Sequence, residues 1–161
     1  MIVPDVNLLL YAYDADSRFH AAAAAWWRAC LSGSEPVGLP PVVVFAFLRV
    51  GTSARVFEHP MTPSEAAGHV RAWLAQPVVQ VLEPRGGHLG HLERVLTLLE
   101  SLGTAGNLVT DAQIAALVLE SDAVLHTTDS DFLRFTALRW LNPLTGITSR
   151  KAPTRPDPSQ G

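Results

Sequence analysis

The sequence is poor in cysteine, lysine, charge and long apolar runs, and most of these shortages close off a class of protein. One cysteine, Cys30, stands among 161 residues. No internal disulfide can form and no ligand cluster surrounds the thiol, so a reducing, cytoplasmic setting is expected. No apolar stretch approaches the ~20 residues of a membrane span, and Met1 to Asp5 carries no basic stretch followed by an apolar one. Neither a membrane anchor nor a signal peptide is therefore expected. Charged residues make up 17% and hydrophobic residues 48%, the balance of a globular chain and not a disordered one. There is no basic excess: the net charge is −3, which argues against a general nucleic-acid coat. It leaves room for a nuclease, because a cation bound among carboxylates reverses their local field. Lys151 is the single lysine beside eleven arginines, a bias from which no partner is read. Gly-rich phosphate loops and Ser-His-Asp arrangements are also missing.

What is present alternates between short apolar runs and helical stripes. Ile2 to Pro4 reads as a buried strand ending on Asp5, followed at once by a helical run through Leu8, Leu9 and Tyr13. From Arg18 to Leu31 a second stripe holds Phe19, Ala23, Trp26, Trp27 and Cys30, with Trp26 and Trp27 expected in the core or at a subunit interface. Pro40 and Pro41 open an apolar segment that reads as a buried helix continuing to Val56. Thr62-Pro63-Ser64-Glu65 is a capping box, leading into a stripe of Ala66, Val70, Trp73 and Leu74. Val78 to Leu82 reads as a strand. His88 to Leu102 reads as a helix with Leu89, Leu92, Leu96 and Leu99 on one face and Gly103 as its stop. A further helix is predicted from Asp111 to about Glu120, a strand from Ala123 to Thr128 ending on Asp129, and an edge strand at Trp140 and Leu141. Residues 145–161, rich in Pro, Ser, Thr and basic residues, read as a tail outside a single domain of residues 1–144.

This alternation predicts an α/β fold with a mainly parallel central sheet. Ligands of such sheets sit beyond the carboxyl ends of the strands, and that rule selects the acids. Asp5 and Asp129 each follow a predicted strand, and Asp111 falls on the buried side of its helix with Ile114, Ala115 and Val118. Each acid also has a plainer role: Asp5 at a turn, Asp111 with Thr110 as a helix cap, Asp129 and Asp131 in an Asx-type turn. Together they predict a cluster. Two carboxylates ~4 Å apart repel by about 4 kcal/mol at an effective dielectric near 20, a conflict that a hard divalent cation removes. Mg²⁺ or Mn²⁺ suits an all-oxygen set. His88 and His91, spaced i, i+3, read as solvated helix residues in the absence of a third ligand, and Arg49 and Arg55 as solvated rim residues.

The stretches IVPDVNLLLYAYD, FLRVGTSARVFEHPMTPSEA, NLVTDAQIAAL and HTTDSDFLRF…LRWLNPL, in this order between residues 2 and 144, resemble the PIN domain and, more narrowly, the VapC toxins of toxin–antitoxin modules. The resemblance implies a three-layer α/β/α fold and an endoribonuclease dependent on Mg²⁺ or Mn²⁺. It also implies a homodimer and a cognate VapB-like antitoxin. By motif, Asp5, Asp111 and Asp129 match the family's acids as metal ligands and catalytic residues, Asn7 matches the polar residue that supports the first, and Asp131 is an auxiliary candidate. One position departs: many PIN domains carry a Glu where this chain has Ala46. Two other readings follow. A degenerate PIN domain would bind RNA or protein without cleavage. A metal-dependent phosphohydrolase of small esters would favour an acid two residues after Asp5, where this chain has Asn7.

Overall fold

A computed structural model describes residues 1–149. Five strands form one parallel sheet: β1 (Ile2–Pro4), β2 (Val37–Leu39), β3 (Val79–Val81), β4 (Val124–His126) and β5 (Trp140–Leu141), in the order β3-β2-β1-β4-β5. Helices α1 (Val6–Tyr13), α2 (His20–Ser32), α3 (Pro41–Gly51), α4 (Pro63–Leu74), α5 (Gly87–Leu102) and α6 (Leu108–Glu120) form the outer layers. The chain runs from β1 outward through β2 to β3, then returns to the other side of β1 for β4 and β5. With right-handed crossovers, this reversal sends helices to both faces of the sheet. It also opens a crevice between the carboxyl ends of β1 and β4, where the strand order switches.

Every residue of β1 and β2 is buried, which is why these strands read as unbroken apolar runs and not as alternation. The edge strand β3 is the more exposed. Local signals set several helix ends. Pro41 stands in the first turn of α3. Thr62 and Glu65 close the capping box of α4, with the Thr62 hydroxyl accepting from Glu65 N–H at 3.2 Å. Gly103 ends α5 at φ +67, a left-handed conformation that glycine adopts without strain.

Other expectations need correction. The helix after Pro41 stops at Gly51 and does not reach Val56. The Gly51 carbonyl accepts from Met61 N–H at 2.9 Å, so the chain folds back there, and the end of the Met61 side chain fills the space that a Cβ at Gly51 would claim. The helix carrying Asp111 begins one turn earlier, at Leu108. Leu74 and three of the four leucines expected on the buried face of α5 are exposed: Leu89, Leu92 and Leu96. Instead α5 turns His91, Val95, Leu98 and Leu102 inward. His91 is therefore no solvated residue; its Nδ1 lies 3.2 Å from Glu120 Oε1. Trp27 is in the core, edge-on to Trp73. Half-buried Trp26 donates its indole N–H to Nδ1 of His126 at 3.1 Å, and burial holds that imidazole neutral by pushing its pKa down to about 4. Phe19 lies against Tyr11. These aromatics are largely spent inside the chain. Of the expected tail, residues 145–149 turn back on β5, with Asn142 N–H donating to Ile147 O and Ser149 N–H to Trp140 O; residues 150–161 lie outside the described part. Among the described residues no helix is long and apolar enough to cross a membrane.

Candidate active site

Strand register brings the first two acids together. β1 and β4 pair directly, with Pro4 opposite His126, so Asp5 emerges level with Thr127. Asp5 N–H still follows the sheet, donating to His126 O at 2.9 Å. Its side chain caps α1, one oxygen accepting from Val6 N–H at 2.7 Å. The other accepts from the Thr127 hydroxyl at 2.8 Å. That hydroxyl in turn accepts from Asp129 N–H at 2.9 Å. Asp129 begins the 3₁₀ turn Ser130–Arg134, where one oxygen accepts from Asp131 N–H at 2.8 Å. Its other oxygen faces Asn7 Nδ2 at 3.5 Å. The local turn roles anticipated for Asp5 and Asp129 are thus real, and they coexist with convergence. Asp111 does not cap its helix; it lies in the first turn of α6, after Asn107 at the N-cap.

The electrostatics record the convergence. Asp5 is 2% exposed, and burial is the main reason its carboxyl is pushed up from 3.8 to about 7. Its bonds from Thr127 and Val6 pull the other way, and the charges of Asp129 and Asp111 push it up again. Asp111 is raised to about 6, first by burial and then by Asp129 and Asp131. Four carboxylates therefore act on one another at a single crevice. The ion pair within this group belongs to Asp131, whose carboxylate lies 3.3 Å from Arg134 Nε.

Among the described residues no three carboxylate, imidazole or thiol groups lie close enough to enclose an ion as they stand. The oxygens of Asp5 and Asp129 meet internal donors, as buried polar atoms do. The donor set is nonetheless all oxygen, and two of its members hold a proton at mildly acid pH. This chemistry fits a hard divalent cation.

Thr127 was not singled out from the sequence, although it links Asp5 to Asp129. A hydroxyl two residues before an acid at a strand end is its only sequence mark. Ala46, at the position where a Glu was expected by resemblance, is buried on α3 and offers no ligand.

A parallel α/β sheet with acids at its switch point defines the class of sheet proteins whose ligands meet the carboxyl ends of the strands, and similarity to known proteins narrows it. The family model for the PIN domain matches residues 2–138. Ribonuclease VapC33 of Mycobacterium tuberculosis is 46% identical over 146 residues, 89% of this chain and 99% of that protein. Among solved structures, Mycobacterium tuberculosis VapC20, described as a sarcin-ricin loop cleaving toxin, is similar at TM-score 0.61 and 18% identity, covering 83% of this chain and 93% of that one. VapBC2 from Rickettsia felis, bound to a promoter DNA fragment, is similar at TM-score 0.60 and 17% identity, covering 87% and 97%; at these identities the two structures speak for the fold alone. The chain belongs to the PIN-domain family and, within it, to the VapC ribonuclease group.

Proposed function

We propose that this protein is the toxin of a VapBC-type module, an endoribonuclease that hydrolyses RNA phosphodiester bonds with a divalent cation held by Asp5, Asp111 and Asp129. The observation that carries this reading is the mutual charge of Asp5, Asp111, Asp129 and Asp131 at the β1–β4 crevice. A bound Mg²⁺ or Mn²⁺ supplies Lewis acidity toward the phosphodiester and a water acidic enough to attack at neutral pH. The chain's own residues hold the acids for that task. Thr127 and the Val6 amide fix both oxygens of Asp5. The Asp131 amide and Asn7 orient Asp129. Asp131, set against Arg134, adds charge beside Asp111.

The VapC identity carries a VapB-like antitoxin as partner, and a homodimer belongs to the same reading. The open leucines of α5, Leu89, Leu92 and Leu96, supply an apolar face for it, in place of the tryptophans of α2. Ala46 favours a second reading, a PIN domain that binds without cutting. Cleavage of RNA by the purified protein separates the two. Activity is expected with Mg²⁺ or Mn²⁺, to vanish in excess chelator and to return on adding the metal back. Undiminished cleavage in chelator would refute the metal mechanism, and binding without cleavage under every metal would favour the second reading.

A further inference from the structure

A hollow of about 430 Å³ opens between α3 and α6, lined by Val42, Phe45, Ala46 and Arg49 of α3 and by Thr110 and Gln113 of α6. Its wall includes Thr110, the residue directly before Asp111 in α6. Phe45 and Arg49 are four residues apart and share one face of α3. Phe45 is 66% exposed, a large aromatic that the fold leaves open. Among the described residues Arg49 enters none of the salt bridges. The opposite wall is polar: the Gln113 amide both donates and accepts, as does the Thr110 hydroxyl.

We propose that this hollow seats one unpaired nucleotide of the RNA substrate, its base stacked on Phe45 and its phosphate met by Arg49. The assignment rests on the ribonuclease reading above and adds a substrate requirement to it. Base faces stack on open aromatic rings without regard to sequence, but only when the nucleotide is released from a helix, so RNA must be single-stranded or bulged at this position. A guanidinium pairs with phosphate in its plane. Here it sets a positive group in the hollow, against the repulsion that the acids of the crevice exert on a polyanion. Gln113 and Thr110 face the space where a base edge would lie. A protein partner would more naturally cover a continuous apolar face, whereas three of the six lining residues here, Arg49, Thr110 and Gln113, carry polar or charged groups.

The test uses the full-length protein in chelator, where RNA binds uncut, and a short single-stranded RNA carrying 2-aminopurine at each position in turn. Stacking on Phe45 quenches the fluorescence at one position. Phe45→Leu should abolish that quench and weaken binding about tenfold, while Phe45→Trp restores both. Arg49→Ala should weaken binding and lower the slope of log affinity against log salt by about one. In cleavage with Mg²⁺, the loss in Phe45→Leu should fall on KM more than on kcat. A Phe45→Leu protein that binds and quenches like the parent overturns the assignment. So does one that keeps RNA affinity but loses self-association or antitoxin binding, which would make the face a protein interface. Quenching at one position without cleavage leaves the nucleotide seat standing and removes the ribonuclease reading; cleavage without a Phe45-dependent quench does the reverse.

Discussion

Helix α6 carries an acid at each end, and the two ends are built on opposite terms. At its start, Asp111 faces Asp5, Asp129 and Asp131. At its last residue, Glu120 meets cations from α5: His91 at 3.2 Å, if protonated, and Arg94 at 3.4 Å. The helix dipole does not explain this, since it favours an acid at the start and opposes one at the end. Glu120 is the deeper of the two, its side chain 6% exposed, and it has been given counter-charges from its own chain. Among Asp111 and its neighbours, the counter-charge is the exposed Arg134, and it meets Asp131. A buried acid with cations beside it is a structural pair that needs nothing from outside. Acids gathered with little counter-charge raise one another's pKa and are relieved by a proton or by a bound cation, and groups perturbed in this way cluster at functional sites.

The largest effects should come from cancelling charge at the start of α6. Asp5→Asn and Asp111→Asn keep side-chain size and should each lower RNA cleavage more than about 100-fold, beyond the 10- to 100-fold typical of residues that only support a metal ligand. A folded Asp5→Asn protein cutting at the parent rate would remove the site from this crevice. The next effect is on stability against pH, measured in chelator. Asp5 holds its proton up to about pH 7 in the folded protein but only to 3.8 otherwise. Below pH 3.8 both states are protonated and the burial is harmless. As pH rises through this window the unfolded chain loses the proton first, so stability falls, by of order 4 kcal/mol once both states are ionised. Asp111 adds the same sign between 3.8 and about 6. Denaturant titrations should show Asp5→Asn gaining on the parent steadily from pH 4 to 7. A constant difference between the two proteins would mean that the Asp5 carboxyl is not strained.

The sequence makes this contrast only half visible. Asp5 and Asp129 are legible because a parallel sheet presents the residue after each strand to one crevice, and an apolar run ending in an acid is easy to see. The capping box at Thr62 and the stop at Gly103 are legible because each is decided by neighbouring residues. Thr127 escaped because its role depends on the register of β4 against β1, a relation between residues more than a hundred positions apart. The inward face of α5 escaped for a different reason. Residues 89, 92, 96 and 99 make one apolar stripe, but 91, 95, 98 and 102 make another, and helical periodicity does not choose between two faces. The fold takes the second, whose histidine has Glu120 to meet. That choice brought the Glu120 cluster into being and left Leu89, Leu92 and Leu96 outside.

The smallest expected effect tests the other end of α6. Glu120→Gln keeps the shape and the accepting oxygen but removes the charge that Arg94 and His91 share. Arg94 is about half exposed, so water takes over part of its solvation, and the loss is that of a charged hydrogen bond and not of a fully stranded ion: about 1–2 kcal/mol. One oxygen of Glu120 has no hydrogen-bond partner among the described residues, and the new amide group at that place would have two N–H donors to satisfy, which keeps the substitution from being neutral. Cleavage by this variant should stay within a few-fold of the parent at a temperature where both are folded, because Glu120 is not among the acids proposed to hold the cation. The sign of the stability change is therefore opposite at the two ends of one helix. Above pH 7 and without metal, cancelling an acid should stabilise the protein at the start of α6 and weaken it at the end. Thermal melts of Asp111→Asn and Glu120→Gln in chelator compare the two directly. Equal shifts of the same sign would show that both acids are structural.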